Sequence, residues 1–129
     1  MLDKFTVEII TPDKPILKSE ASEVTIPAYE GQMGILKNHI PLITFLRPGV
    51  IIVNNKEDKK YYVEEGTVEF SNNNLLILTS TVKDLKELNQ KFIEDSLNHA
   101  ENKLNSDEYS DKEKYLLSYK ISALKEINQ

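Results

Sequence analysis

Two histidines, a short run of acids and a few glycines are the residues of this 129-residue chain whose types could do chemistry near neutral pH. His39 sits between Asn38 and Ile40-Pro41 at the mouth of a strand. It reads first as a turn histidine bonded to nearby backbone, with a contact or pH-sensitive role at an exposed tip as the alternative and metal ligation a distant third. His99 falls on the polar side of a helical pattern and reads as solvated. The two are far apart in the chain, so no histidine pair is expected. Asp107, Glu108, Asp111 and Glu113 look like an acidic cluster but lack the ligand spacing and central glycine of a calcium loop. Acids at a helix start interact favourably with its dipole, and Ser110-Asp111-Lys112-Glu113 reads as a capping box. Gly31 and Gly34 form no phosphate loop, because no Gly-Lys-Ser/Thr follows them to open a helix. With no cysteine, a disulfide framework, a thiolate zinc site and a cysteine nucleophile are all excluded. No nucleophile is visibly matched to a base, so the chain does not read as an enzyme.

The elements that would position these residues fall into two regimes. Every proline lies at or before residue 48 and every glycine at or before residue 66. Up to Asp84 the pattern is β. Phe5-Thr6-Val7-Glu8-Ile9 alternates apolar with polar, the period of a strand with one buried face. Thr11-Pro12-Asp13-Lys14-Pro15 turns, and short strands follow at Ile16–Lys18, Val24–Ile26, Gly34–Leu36, Leu42–Leu46, Val50–Val53, Tyr61–Val63, Thr67–Phe70 and Leu75–Leu78. The β-branched run Val50–Val53 suits burial on both faces. The expectation is an α+β protein: an N-terminal antiparallel β-sandwich of about 8–10 short strands over residues 1–84, then a C-terminal antiparallel two-helix hairpin over 85–129. The first helix carries Leu85, Leu88, Phe92, Ile93, Leu97, Ala100 and Leu104 on one face, and the second carries Tyr115, Leu116, Tyr119, Ala123 and Ile127. A hairpin this short has little core of its own and must lean on the sandwich or on a partner. Relative movement of the two parts is the default expectation.

Between Ala28 and Met33 the chain reads as a polar, backbone-shaped, exposed tip carrying Tyr29-Glu30-Gly31, and this is the expected working end. Net charge is −5, so nucleic acid is a poor candidate partner. Tyr61, Tyr62, Tyr115 and Tyr119 suit packing better than base stacking, since no basic stripe accompanies them. The N-terminal residues carry no signal-peptide pattern and no stretch is apolar enough to span a bilayer. Work at a membrane would need another subunit to hold the chain there.

Ile26-Pro27, Glu30-Gly31, Met33-Gly34-Ile35-Leu36, His39, Pro41-Leu42 and Pro48-Gly49 together resemble the signature of the epsilon subunit of bacterial F-type ATP synthase, the counterpart of the mitochondrial delta subunit. The resemblance extends to Thr11-Pro12 and the Glu65-Gly66 turn, and so covers essentially the whole chain. It implies a central-stalk rotor subunit without catalytic residues or cofactor, peripheral on the cytoplasmic face of the inner membrane. Its implied partners are the gamma subunit, the membrane c-ring, and the alpha and beta subunits when the hairpin is extended. The implied c-ring-facing residues are Glu30, Gly31, Gln32 and Met33, with His39 nearby. Gln32 stands where some relatives have an acid, which leaves Glu30 as the main source of any ion pair with a basic ring loop.

Many members of the family bind ATP through Ile/Leu-Asp-x-x-Arg-Ala at the start of the first helix. Here the matching residues are Leu85-Lys86-Glu87-Leu88-Asn89-Gln90, so the motif is lost at Lys86, Asn89 and Gln90, and weak or no ATP binding is implied. The family also implies a hairpin that can restrain ATP hydrolysis. Lys112, Lys114, Lys120 and Lys125 could meet acidic loops of the catalytic head, or form a solvated face diluted by Asp111, Glu113 and Glu126. A free-standing sandwich adaptor for a peptide or sugar is the rival reading, and it requires an aromatic-lined groove.

Overall fold

The alternation at the N-terminus produces what its period demands. In a computed structural model that describes residues 3–127, Phe5, Val7 and Ile9 are buried on one face of strand β1 (Phe5–Ile10). Nine further strands follow: β2 (Pro15–Ala21), β3 (Glu23–Ala28), β4 (Gly31–Leu36), β5 (Leu42–Leu46), β6 (Gly49–Asn54), β7 (Lys59–Val63), β8 (Gly66–Ser71), β9 (Asn74–Leu78) and β10 (Val82–Asp84). A 3-10 turn over Leu85–Glu87 then leads to helices α1 (Gln90–Leu104) and α2 (Asp111–Ile127).

The strands form two layers, β10-β7-β6-β3-β4 and β5-β8-β9-β1-β2, joined where Ala28 at the end of β3 pairs with Leu46. Facing residues of both layers make one core that includes Val7, Ile9, Ile26, Ile35, Phe70 and Ile77. Phe5 and Phe70 meet edge to face with ring centroids 5.6 Å apart. Each such side chain contributes roughly 1.5–3 kcal/mol when fully buried, so the sandwich is the stable unit. The pairing is antiparallel throughout except between β1 and β9, which run parallel from Thr6↔Asn74 to Ile10↔Leu78.

Three sequence expectations change here. The Ala28–Met33 tip contracts to a two-residue turn, Tyr29-Glu30, because Gly31 to Leu36 pair along the whole of β3. Backbone hydrogen bonding captured residues that look loop-like by composition. The Val50–Val53 run is buried on one face and half-buried on the other, where α2 lies over β6. The first helix starts at Gln90 rather than Leu85: Asp84 caps the 3-10 turn by accepting from the Lys86 amide at 2.9 Å, and Asn89 Oδ1 caps α1 by accepting from the Phe92 amide at 2.7 Å. The capping box at the start of α2 forms as its spacing demands, with the Ser110 amide donating to Glu113 Oε1 and the Glu113 amide to Ser110 Oγ, both at 3.2 Å.

The hairpin rests on the sandwich through a second, smaller core. Tyr62, Ala123 and Leu124 are buried there, flanked by Leu85, Leu88, Leu97 and Ile127.

Candidate partner-binding surface

Glu30 occupies the turn between β3 and β4 and is exposed, yet its carboxylate is oriented. The hydroxyl of Thr44, a buried residue on neighbouring β5, donates to Glu30 Oε2 at 2.9 Å and Oε1 at 3.2 Å. The Tyr29 amide donates to the Phe45 carbonyl at 3.0 Å, tying the same turn to β5 through the backbone. Gly31 has φ +134°, a backbone conformation that favours glycine, and space around it is open. A negative charge fixed on a tight turn therefore projects from the end of the sandwich.

The other residues expected at this tip are distributed differently. Gln32 and Met33 lie within β4, opposite Pro27 and Ile26; Gln32 is exposed, while Met33 is half-buried against the core. His39 follows the far end of β4, so the whole of Gly31–Leu36 lies between it and Glu30 in the chain. There the ring packs edge-on against Phe70 at 5.8 Å, with Nδ1 2.7 Å from the Ile40 carbonyl. Asn38, at φ +66°, turns the chain and exchanges hydrogen bonds with Asn73: its amide donates to Asn73 Oδ1 at 2.7 Å, and Asn73 Nδ2 donates to its Oδ1 at 3.1 Å. The local-turn reading of His39 describes this environment. His99 is exposed on α1. Glu113 is engaged with Ser110, which gives one member of the acidic cluster a structural role.

Sequence reasoning missed the side chains beside the turn. On β5, Thr44 and Leu46 point into the core, so Ile43 and Phe45 point outward and are 76% and 56% exposed. Cross-strand register places Phe45, Thr67 and Leu78 in one row and Ile43, Glu69 and Leu76 in the next. Tyr29 leans toward Phe45 with centroids 6.4 Å apart. Together with Leu46 and Pro12 they line an open cleft of about 560 Å³ whose polar rim includes Glu65. The signal was present as Leu42-Ile43-Thr44-Phe45-Leu46, where apolar residues fill both phases of a strand and so ask for cover on both faces.

The two outer faces of the sandwich are thus unequal: α2 covers β6, while the β5-β8-β9 face is bare. The helix side is polar at its margins. Lys120 Nζ lies 2.7 Å from Glu64 Oε1, and the Arg47 guanidinium stacks 3.9 Å above the Tyr119 ring. Burial, and then the nearby Glu64 charge that accepts from its hydroxyl at 3.2 Å, push the Tyr62 phenol far above its ordinary range. Of the residues expected at the position of a nucleotide motif, Lys86 is exposed, Asn89 is the cap of α1, and Gln90 Nε2 donates to Glu94 at 3.1 Å. No described helix is long and apolar enough to cross a membrane.

Comparison with known proteins gives a consistent picture. Residues 4–84 match the family model for the beta-sandwich domain of the ATP synthase delta/epsilon chain. The chain is 44% identical over 130 residues to the ATP synthase epsilon chain of Pelagibacter ubique (strain HTCC1062), covering 99% of this chain and 100% of that one. It is 36% identical over 118 residues to the chloroplastic ATP synthase epsilon chain of Pyropia yezoensis, covering 91% and 87%. Among solved structures, a chain in the Euglena gracilis mitochondrial ATP synthase (OSCP/F1/c-ring) shares the fold with a TM-score of 0.76 at 20% identity, over 95% of this chain and 78% of that one.

Proposed function

Because the chain belongs to the ATP synthase delta/epsilon family, we propose that it is the epsilon subunit of the central stalk of a bacterial F-type ATP synthase. It turns with the gamma subunit and the c-ring, coupling proton flow through the ring to ATP synthesis in the catalytic head. The observation that carries this reading is the inequality of the two outer sheet faces. One is closed by the protein's own helix, whereas the other presents Ile43, Phe45 and Leu78 beside a turn with an oriented carboxylate. An apolar face next to a charged tip suits a subunit held by one partner along its side and touching another at its end.

In this reading the bare β5-β8-β9 face meets gamma. The Glu30-Gly31 turn meets the polar loops of the c-ring, with Glu30 supplying the negative charge. The reading keeps Gln32 in the ring contact as an exposed strand residue, gives Met33 a supporting place, and leaves His39 outside it. The chain carries no catalytic residue of its own and transmits torque through a rigid sandwich. It lies on the cytoplasmic face of the inner membrane because its partners hold it there.

Residues 1–84 form the gamma- and ring-binding domain and residues 85–129 a regulatory hairpin, which can extend toward the alpha and beta subunits and restrain hydrolysis. To move that hairpin from mostly docked to mostly extended, the head must favour the extended form by about 5 kcal/mol.

The test is a pull-down with the full chain on detergent-solubilised membranes of its source. Recovery of gamma with the alpha-beta head and the c-ring, weakened by Phe45→Ser, is the expected result. A folded protein that retains none of them overturns the reading in favour of a free adaptor.

A further inference from the structure

The described residues contain a single ion pair, although the sequence has 16 basic and 21 acidic side chains. It does not lie within the sandwich or within a helix: it joins α2 to the sandwich. Lys120 Nζ meets Glu64 Oε1 at 2.7 Å, both side chains are less than a third to one-third exposed, and the Tyr62 hydroxyl donates to the same oxygen at 3.2 Å. The preceding residue of α2, Tyr119, lies under the Arg47 guanidinium at 3.9 Å, and its hydroxyl is 3.0 Å from that of Tyr115. Arg47 and Glu64 flank the Gly49↔Val63 pair, so both contacts grip α2 at the same end of β6 and β7.

The apolar contact beneath is small. Among the described residues of α2, Ala123 and Leu124 are buried in the core shared with Tyr62, with Ile127 and, from the preceding segments, Leu85, Leu88 and Leu97 partly buried around them. A cavity of about 560 Å³ remains between α2 and β6, lined by Pro48, Ile52, Tyr119 and Ile127 among others. An interface with few buried contacts opens at low cost, so its polar contacts carry a large share of the docking energy. Partial burial shields this pair more than a surface pair, but salt still weakens it.

We propose that Lys120–Glu64 and Tyr119–Arg47 form a two-point latch that holds the hairpin on the sandwich, so that docking is set by these side chains and by ionic strength. The proposal deepens the reading of residues 85–129 as a separable regulatory hairpin. It concerns the isolated chain, so its failure would leave the stalk assignment intact. Tyr119 and Lys120 are successive residues, about 100° apart around α2, so the cation–π contact and the ion pair together fix the rotation of the helix as well as its position.

The experiment is amide hydrogen exchange on the full-length chain, with Glu64→Lys, Lys120→Glu, the two reversals combined, and Arg47→Gln. Each single substitution is expected to speed exchange in α2 by about 5–10-fold and leave β1, β8 and β9 unchanged. The double reversal is expected to return α2 to within about twofold of the parent, and 1 M salt to speed α2 exchange in the parent and the double reversal but not in Glu64→Lys or Lys120→Glu. Unchanged α2 exchange in the single variants, or no recovery in the double reversal, would overturn the latch. So would equal loss of protection in the sandwich, since hairpin and sandwich would then open as one unit.

Discussion

Pro27 and Gly49 lie so close together that a β-carbon added to Gly49 would sit 2.5 Å from Cβ of Pro27. Both obstructing atoms are on a proline ring that cannot rotate away, and the Arg47 amide donates to the Pro27 carbonyl at 2.9 Å beside them. Gly49→Ala is therefore expected to destabilise the chain by about 2–3 kcal/mol, read as a lower urea midpoint with an unchanged slope.

Gly31 and Gly66 make a contrasting pair. A β-carbon at Gly31 meets nothing within 4 Å, whereas one at Gly66 would lie 2.6 Å from the Leu78 carbonyl and 3.0 Å from Leu46 Cδ1. Gly31→Ala is expected to cost about 1 kcal/mol, from backbone conformation alone, and Gly66→Ala at least twice that. Equal thermal shifts for the two would contradict the difference in packing.

Thr44→Val separates the orientation of Glu30 from its charge. Valine keeps the shape in the core but removes the hydroxyl that holds the carboxylate. Stability should fall by about 1 kcal/mol, the net worth of the lost hydrogen bond once the exposed carboxylate regains water, while affinity for the c-ring falls several-fold. Glu30→Gln should weaken ring binding further. Ring affinity that is indifferent to both substitutions would remove Glu30 from the contact.

Burial, then the Glu64 charge, raise the Tyr62 phenol above its unfolded value near 10. The folded chain then keeps a proton that the unfolded chain releases, so this contribution is complete below about pH 10 and is lost progressively above it. Desolvation, then the Asp84 charge, push Tyr61 the same way. Melting temperature should fall above about pH 10, with a shallower fall in Tyr62→Phe measured against its own neutral-pH value.

The isolated chain is expected to bind ATP no more tightly than about 0.1 mM: in the proposed reading Asn89 stands where the family's nucleotide motif has arginine, and Asn89 is engaged in capping α1. Titration calorimetry giving a smaller dissociation constant would overturn this.

Strand content was legible where alternation or turn chemistry was strong: β1, the Asn72–Asn73 turn and the capping box at Ser110 all follow local rules. The Glu30-Gly31 turn was legible too, but its extent was not. The stretch from Ala28 to Met33 looked like loop because its pairing partners are supplied by register, which no local window contains. For the same reason His39 seemed close to Glu30 in sequence although a whole strand separates them. The bare face was missed because outward and inward positions of β5 are both apolar, and only the buried Thr44 fixes the phase. The latch pairs residues 56 and 72 positions apart, and nothing local to Glu64 or Arg47 announces α2.

The parallel pairing of β1 with β9 sets an order of assembly. β1 leaves the ribosome first and can close with β2 at once, but its other edge has no partner until β9 has been made. Until then the β9-facing edge of β1, the strand that carries Val7 and Ile9, is unpaired and of the kind that recruits other chains. Closure across so long a loop is slow relative to local hairpins. Nascent chains whose β9 (Asn74–Leu78) has not emerged should therefore depend on chaperones, whereas those in which all of β9 is outside the ribosome should resist protease.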